Sequence, residues 1–249
     1  MPSSVHKEYI RESPQNKTVV LFIHGILGTP NQFRDFVKIV PAEYSVHNIL
    51  LDGHGATVRE FSKSSVSLWR NRVSEKIEYL SERYDSIMIV AHSLGTLLAI
   101  EAGIRFPDKV KQLFLIAVPL KITVKPSVIS TSLKVALNRV RPDDDIATAA
   151  KASYGISPTK RPYEYLGWAP RFYELLKEAK RARSIVPSLT VPTLVFQSQK
   201  DELVSMKSCG YLCSNPRISI QLMPNSRHYY YDKTEYQNML NHFSNMLQT

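Results

Sequence analysis

Ser93 stands in "MIVAHSLGTLLAI", Met88 to Ile100, where one apolar stretch runs almost directly into another. A strand that turns at once into a helix presents the residue at the junction on a tight turn beyond the carboxyl end of the strand. That is where open α/β sheets bind their ligands. The turn is crowded, so small residues are needed two positions before and after the serine, and Ala91 and Gly95 occupy them. The following helix points its first N–H groups at the same place and favours negative charge there. Serine is a poor nucleophile at neutral pH and needs a base, usually a histidine oriented by a carboxylate. Downstream, "PTLVFQSQ" ends at Lys200-Asp201-Glu202, and "RISIQLMP" ends in Asn225-Ser226-Arg227-His228. An acid and a histidine thus each follow a strand, in the chain order serine, acid, histidine.

The elements that must position these residues can be read from the same pattern. Short apolar runs at 18–23, 46–51, 87–91, 112–118, 193–197 and 217–222 read as strands, several of them apolar enough to be buried on both faces. Helical patterns at 30–40, 66–83, 94–106, 203–213 and 235–247 lie between or after them. The first opens on Thr29-Pro30, a cap followed by proline at the first helical position. Strands alternating with helices predict an α/β fold with a mostly parallel sheet flanked by helices. The alternation breaks once, between 120 and 187. Two amphipathic stripes replace strands there: Ile129, Leu133, Ala136, Leu137 and Val140, then Phe172, Leu175, Leu176, Ala179, Ala182 and Val186. This reads as a helical insertion in a single domain spanning residues 1–249.

With these motifs in order, the sequence resembles the α/β-hydrolase superfamily, and within it the small carboxylesterases and monoacylglycerol-lipase-like enzymes. The resemblance rests on "FIHGILGTPNQF", "LDGHG", "AHSLGT", "SQKDELV" and "NSRHYYYD" and covers nearly the whole chain apart from the insertion. It implies a catalytic triad of Ser93, Asp201 and His228, with Asp201 preferred to Glu202 as the acid. It also implies an oxyanion hole formed by the backbone N–H groups of Ile26, which follows His24-Gly25, and of Leu94, which follows the nucleophile. The insertion would form a cap over the site, and Leu27, Trp168 and Phe172, with Tyr165, are candidates for lining an acyl pocket. Two residues depart from the family pattern. Ala91 replaces a glycine, and Arg227 stands where a glycine commonly precedes the histidine, adding a cation beside the base. The implied activity is hydrolysis of a small-molecule acyl ester through an acyl-enzyme, with no metal or organic cofactor. Thioester, lactone, amide or carbon–carbon bond hydrolysis could use the same residues, and a binding module could keep the fold without the chemistry.

Other residues read as structural. His24 is expected to support the oxyanion loop, and Asp52 and His54 to satisfy a loop of their own. Asp143-Asp144-Asp145 reads as a solvated charge cluster rather than a cation site. Cys209 and Cys213 are too few for a structural zinc and read as reduced thiols. The N-terminus shows no signal-peptide pattern and no apolar run is long enough to span a membrane, which suggests a cytoplasmic protein. The net charge is +10, and residues 121–183 contribute thirteen Lys/Arg against six Asp/Glu. No nucleic-acid-binding motif accompanies that charge. A basic cap helix, with Lys134, Asn138 and Arg141 on its polar face, could instead make weak contact with an anionic lipid surface.

Overall fold

The structure, a computed structural model, describes residues 6–13, 17–136 and 139–248. Among these residues seven strands form one sheet: β1 (Tyr9–Arg11), β2 (Thr18–Ile23), β3 (Ser45–Ile49), β4 (Ser86–His92), β5 (Val110–Ile116), β6 (Thr193–Ser198) and β7 (Ile218–Met223). Their order is β1-β3-β2-β4-β5-β6-β7, parallel throughout except for β1, which pairs antiparallel with β3. Among the described residues nine α-helices accompany them: α1 (Arg34–Ile39), α2 (Val58–Lys63), α3 (Val66–Ser81), α4 (Leu94–Arg105), α5 (Pro126–Ala136), α6 (Asp145–Ser153), α7 (Ala169–Ile185), α8 (Lys207–Leu212) and α9 (Lys233–Met246). This is the α/β-hydrolase architecture that the sequence implies.

Alternation along the central strands builds two cores. In β2, Val19, Leu21 and Ile23 point into one layer with Trp69 and Ile77 of α3 and Leu97 of α4. Val20 and Phe22 point into the other, with Phe36 of α1 and Met239 and Phe243 of α9. Each fully buried Val, Leu, Ile or Phe contributes about 1.5–3 kcal/mol. Covering both faces of β2 and β4 therefore fixes the sheet at its centre, where the Ser93 turn begins.

Helices α5, α6 and α7 and a 3-10 turn at Pro162–Trp168 lie between β5 and β6. They are fastened to the sheet side by backbone bonds, Gly155 N–H to Leu27 O (2.7 Å) and Ser157 N–H to Ala56 O (2.8 Å). Charges add a second fastening: Glu178 of α7 is buried between Arg70 and Arg181, and both arginines also reach Glu101 of α4. Asp144 caps α6 through Ala147 N–H (3.0 Å) and pairs with Lys134 (2.6 Å), so this part of the acidic run holds local structure.

Three sequence expectations need correcting. The stripe on α7 is buried only at Leu175, Ala179 and Ala182, with Val186 just beyond, while Phe172 and Leu176 are exposed. The helix expected from 203 shortens to Lys207–Leu212 because Leu203 and Val204 turn to give their N–H groups to Asp201. The expected helix at 30–40 is a 3-10 turn, Pro30–Phe33, followed by α1. Of the stripe expected at 129–140, the side chains of Ile129, Leu133 and Ala136 lie outside the described residues, as do Leu137 and Asn138 entirely. Among the described residues no helix is long and apolar enough to cross a membrane, and none of their His, Cys, Asp and Glu side chains form a group able to hold a metal.

Candidate active site

Ser93 is the residue between β4 and α4, and it adopts φ +51° and ψ −122°. Non-glycine residues avoid that region, at a cost of about 1–3 kcal/mol, unless the surroundings enforce it. They do so here: Ser93 N–H bonds Ile116 O (2.9 Å) on β5, and Ser93 O accepts from Thr96 N–H (2.9 Å) and from the Thr96 hydroxyl (2.6 Å). Gly95 lets α4 pass close under β2, since a Cβ at that position would overlap the Ile23 carbonyl oxygen. Ala91 is fully buried, so a methyl group is accommodated where the family pattern has glycine.

Asp201 and His228 follow β6 and β7 and are brought together in the interior. His228 Nδ1 lies 2.9 Å from Asp201 Oδ2, and both side chains are buried. A carboxylate only accepts, so Nδ1 carries the proton and Nε2 is left as the acceptor. Nε2 is buried and has no hydrogen-bond partner among the described residues. The other carboxylate oxygen, Oδ1, accepts from the N–H groups of Leu203 (2.7 Å) and Val204 (2.8 Å). Burial pushes the Asp201 carboxyl up, but the His228 imidazole and the two N–H groups outweigh it and hold its pKa below the usual carboxylate value.

The loop carrying His228 is held from three sides. Arg227 N–H bonds Tyr230 O (2.7 Å) across it, and Ser198 Oγ donates to Arg227 O (3.0 Å). Glu202 accepts from His228 N–H (3.2 Å) and from the Arg227 guanidinium (2.9 Å), so the two carboxylates at 201 and 202 do different jobs. His92, next to Ser93, donates from Nε2 to His228 O (3.2 Å) and brings its ring 4.9 Å from the His228 ring. Burial, then the neighbouring His228, lowers the His92 pKa to about 3, so this imidazole stays neutral.

The loop after β2 passes close to Ser93 at Gly25, and His24 and His54 build it. His24 donates from Nδ1 to Gly25 O (2.8 Å) and accepts from Leu51 N–H at Nε2 (3.1 Å). His54 donates to Asp52 O (3.2 Å) and accepts from Leu27 N–H (3.2 Å). Burial lowers the His24 pKa to about 4 and the His54 pKa well below its usual value. Leu27 is thereby held at φ +59°, with its carbonyl bonded to Gly155. The N–H groups of Ile26 and Leu94 take part in no hydrogen bond within the described residues. Asp52 presents only its backbone carbonyl here, to His54 and to the Trp69 indole (2.8 Å).

A cavity of about 400 Å³ opens beside His228. Ile26, Leu27, Trp168 and Phe172 line it, with Val128, Val135 and Ile146 from the insertion. Tyr165 packs on Trp168, 4.9 Å between ring centroids, behind the wall. Tyr154 and Arg227 also face the cavity, neither of them expected as a wall residue, and so does Tyr229, which reads in sequence as packing around the histidine loop. Only the departure from the glycine pattern at 227 could have marked Arg227.

Comparison with known proteins gives the chain's family and fold. The family model described as serine aminopeptidase, S33, matches residues 14–164, more than half of the chain. The chain is 24% identical over 199 residues to a carboxylesterase of Bacillus subtilis strain 168, covering 78% of this chain and 76% of that one. It is 29% identical over 90 residues to a thermostable monoacylglycerol lipase of Bacillus sp. strain H-257, a match that spans 36% of either chain. Among solved structures, one from a study of the metagenome-derived lipolytic enzymes LipS and LipT superposes with a TM-score of 0.76 at 20% identity, covering 98% of both chains. The monoacylglycerol lipase of Paleococcus ferrophilus gives 0.69 at 16% identity, covering 97% of this chain and 98% of that one. The chain belongs to the serine aminopeptidase S33 family of α/β hydrolases.

Proposed function

We propose that the protein is an esterase of the lipase type, cleaving carboxylic esters through an acyl-enzyme on a single α/β domain whose segment 120–187 caps the site. Ser93 Oγ attacks the ester carbonyl carbon while His228 Nε2 takes the hydroxyl proton. The N–H groups of Ile26 and Leu94 receive the charge that develops on the carbonyl oxygen; losing one such donor costs about 3 kcal/mol of barrier. Collapse of the tetrahedral intermediate breaks the bond to the alkoxy oxygen, and His228 returns the proton to the departing alcohol. Water then repeats the sequence on the acyl-Ser93 ester and releases the carboxylic acid. Asp201 holds the imidazole in the tautomer that leaves Nε2 free and stabilises its positive charge.

The observation that carries this reading is the buried 2.9 Å Asp201–His228 bond, which leaves Nε2 an unengaged acceptor on a residue held through its backbone carbonyl by His92, the neighbour of Ser93. The cavity wall favours an apolar acyl group. An aminopeptidase would need a carboxylate to receive the substrate's α-ammonium group. Glu202, the one acid among the described wall residues, already has an oxygen on Arg227 and an oxygen on His228 N–H. The esterase and lipase relatives point the same way.

The test is a p-nitrophenyl ester series of increasing acyl length, run on the wild type and on Ser93→Ala. Turnover should rise with acyl length until the cavity is filled, and Ser93→Ala should lose at least about 10³-fold of it. Equal turnover by the two proteins would refute the assignment.

A further inference from the structure

The outer face of the cap carries large apolar side chains that the fold does not cover. Helix α7 buries Leu175, Glu178, Ala179 and Ala182 and turns Phe172, Tyr173 and Leu176 the other way. Tyr173 is 59% exposed and Leu176 52%, and just before the helix Tyr163 is 62% and Leu166 76% exposed. Single exposed apolar residues are ordinary, but Tyr173 and Leu176 are neighbours at helical spacing, and Tyr163 and Leu166 lie on the turn that leads directly into the helix.

The charges around the patch that lack an opposite partner among the described residues have one sign. Lys177 and Lys180 continue the exposed face at four-residue steps from Tyr173 and Leu176, and Lys160 precedes the unit. None of the three has a carboxylate partner among the described residues, and Lys177 Nζ lies 4.6 Å from the centre of the Tyr173 ring. The acids of the same stretch are engaged: Glu164 with Arg161, Glu174 with Arg171, Glu178 with Arg70 and Arg181. The patch also adjoins the cavity, since Phe172 is both half-exposed on this face and part of the cavity wall.

We propose that this face docks on an anionic lipid bilayer, with Leu166, Tyr173 and Leu176 entering the interface and Lys160, Lys177 and Lys180 meeting the headgroups. Such a surface supplies both complements, hydrocarbon and negative charge. A second copy of the chain fits less well, because a twofold contact would set free lysines against free lysines with no acid to receive them. The inference deepens the esterase reading: docked this way, the mouth beside Phe172 faces the layer that holds acyl esters.

The experiment is co-sedimentation with vesicles of phosphatidylcholine alone and of phosphatidylcholine mixed equally with phosphatidylglycerol. The proteins are the wild type, a Leu166→Ser/Tyr173→Ser/Leu176→Ser variant and a Lys177→Glu/Lys180→Glu variant. Wild type should bind the mixed vesicles at least about tenfold more tightly than the neutral ones, and each variant should lose about tenfold or more of that binding. Both variants should keep wild-type turnover of a short soluble ester, because none of the altered residues lines the cavity. Equal binding to both vesicles, no binding, or variants that bind like wild type would overturn the proposal. So would a concentration-dependent dimer, seen by light scattering, that the apolar variant abolishes while vesicle binding stays absent. Binding is read without turnover, so failure of the esterase reading would show separately, as loss of soluble-ester hydrolysis in the wild type.

Discussion

Asp201 does two jobs with its two oxygens, and substitutions should separate them. One oxygen accepts from His228 and the other from the Leu203 and Val204 N–H groups. Asp201→Asn can keep its carbonyl oxygen on the two backbone donors while offering an amide to His228. It should fold with near wild-type stability and lose roughly 10⁴-fold in kcat, because the imidazole is forced into the other tautomer. Asp201→Ala strands both backbone donors as well and should cost about 2–4 kcal/mol of stability. Ester kinetics together with urea denaturation of the two variants check the pair of outcomes; equal stabilities would mean that the Oδ1 bonds do little. The three candidates could be read from sequence because each follows an apolar strand, and a strand end is a fixed point of an α/β sheet. The choice between Asp201 and Glu202 could not be made from position alone, since both follow β6. The fold divides the roles, with Glu202 fastening the histidine loop through Arg227 and the His228 N–H.

At the scale of elements, the site depends on close approaches that only glycine permits. Gly155 brings the insertion against the loop after β2: its N–H bonds Leu27 O, and a Cβ there would overlap Thr29 Cγ2 and the Gly28 carbonyl oxygen. Gly155→Ala should displace the Ile26 donor and lower kcat by roughly tenfold or more, less than outright loss of an oxyanion donor would. Ester kinetics at saturating substrate, with a thermal melt to show that the protein still folds, would measure it; unchanged kcat would unlink the insertion from that loop. The long buried strands and the amphipathic α3 were legible because burial on one or both faces leaves a periodic apolar signal. β1 was not, because three residues on an antiparallel edge, half-open to solvent, leave none. α2 was not legible either, because six residues closed by a capping box between Thr57 and Glu60 are too short to carry a periodic apolar signal. On α7 the periodicity was real, but it could not say where the buried stripe ends, and Phe172 and Leu176 fall past its edge.

For the whole molecule, three buried neutral imidazoles couple the site to stability. His24 titrates at about 4, His92 at about 3 and His54 well below its usual value, all because burial disfavours the cation. Their unfolded values lie near 6.5, so below that pH the unfolded chain takes up protons that the folded chain refuses. Stability is therefore full above about pH 6.5 and falls as the pH drops toward 4, by up to about 4 kcal/mol per pH unit when all three contribute. The Asp201 carboxylate, with its depressed pKa, adds its loss only at still lower pH. A urea midpoint at pH 5 far below that at pH 7.5 is expected, whereas equal midpoints would mean that the imidazoles are not buried as neutral groups. The net charge of +10 adds self-repulsion in the same direction as the pH falls. What matters most for function is whether this scaffold makes the Ser93 hydroxyl a nucleophile. Treating the folded protein with a fluorophosphonate and mapping the adduct by peptide mass spectrometry tests it most directly. A single adduct on Ser93 is expected, formed far more slowly in Asp201→Asn; folded protein left unlabelled, or labelled elsewhere with Ser93 intact, would show that Ser93 is not the nucleophile.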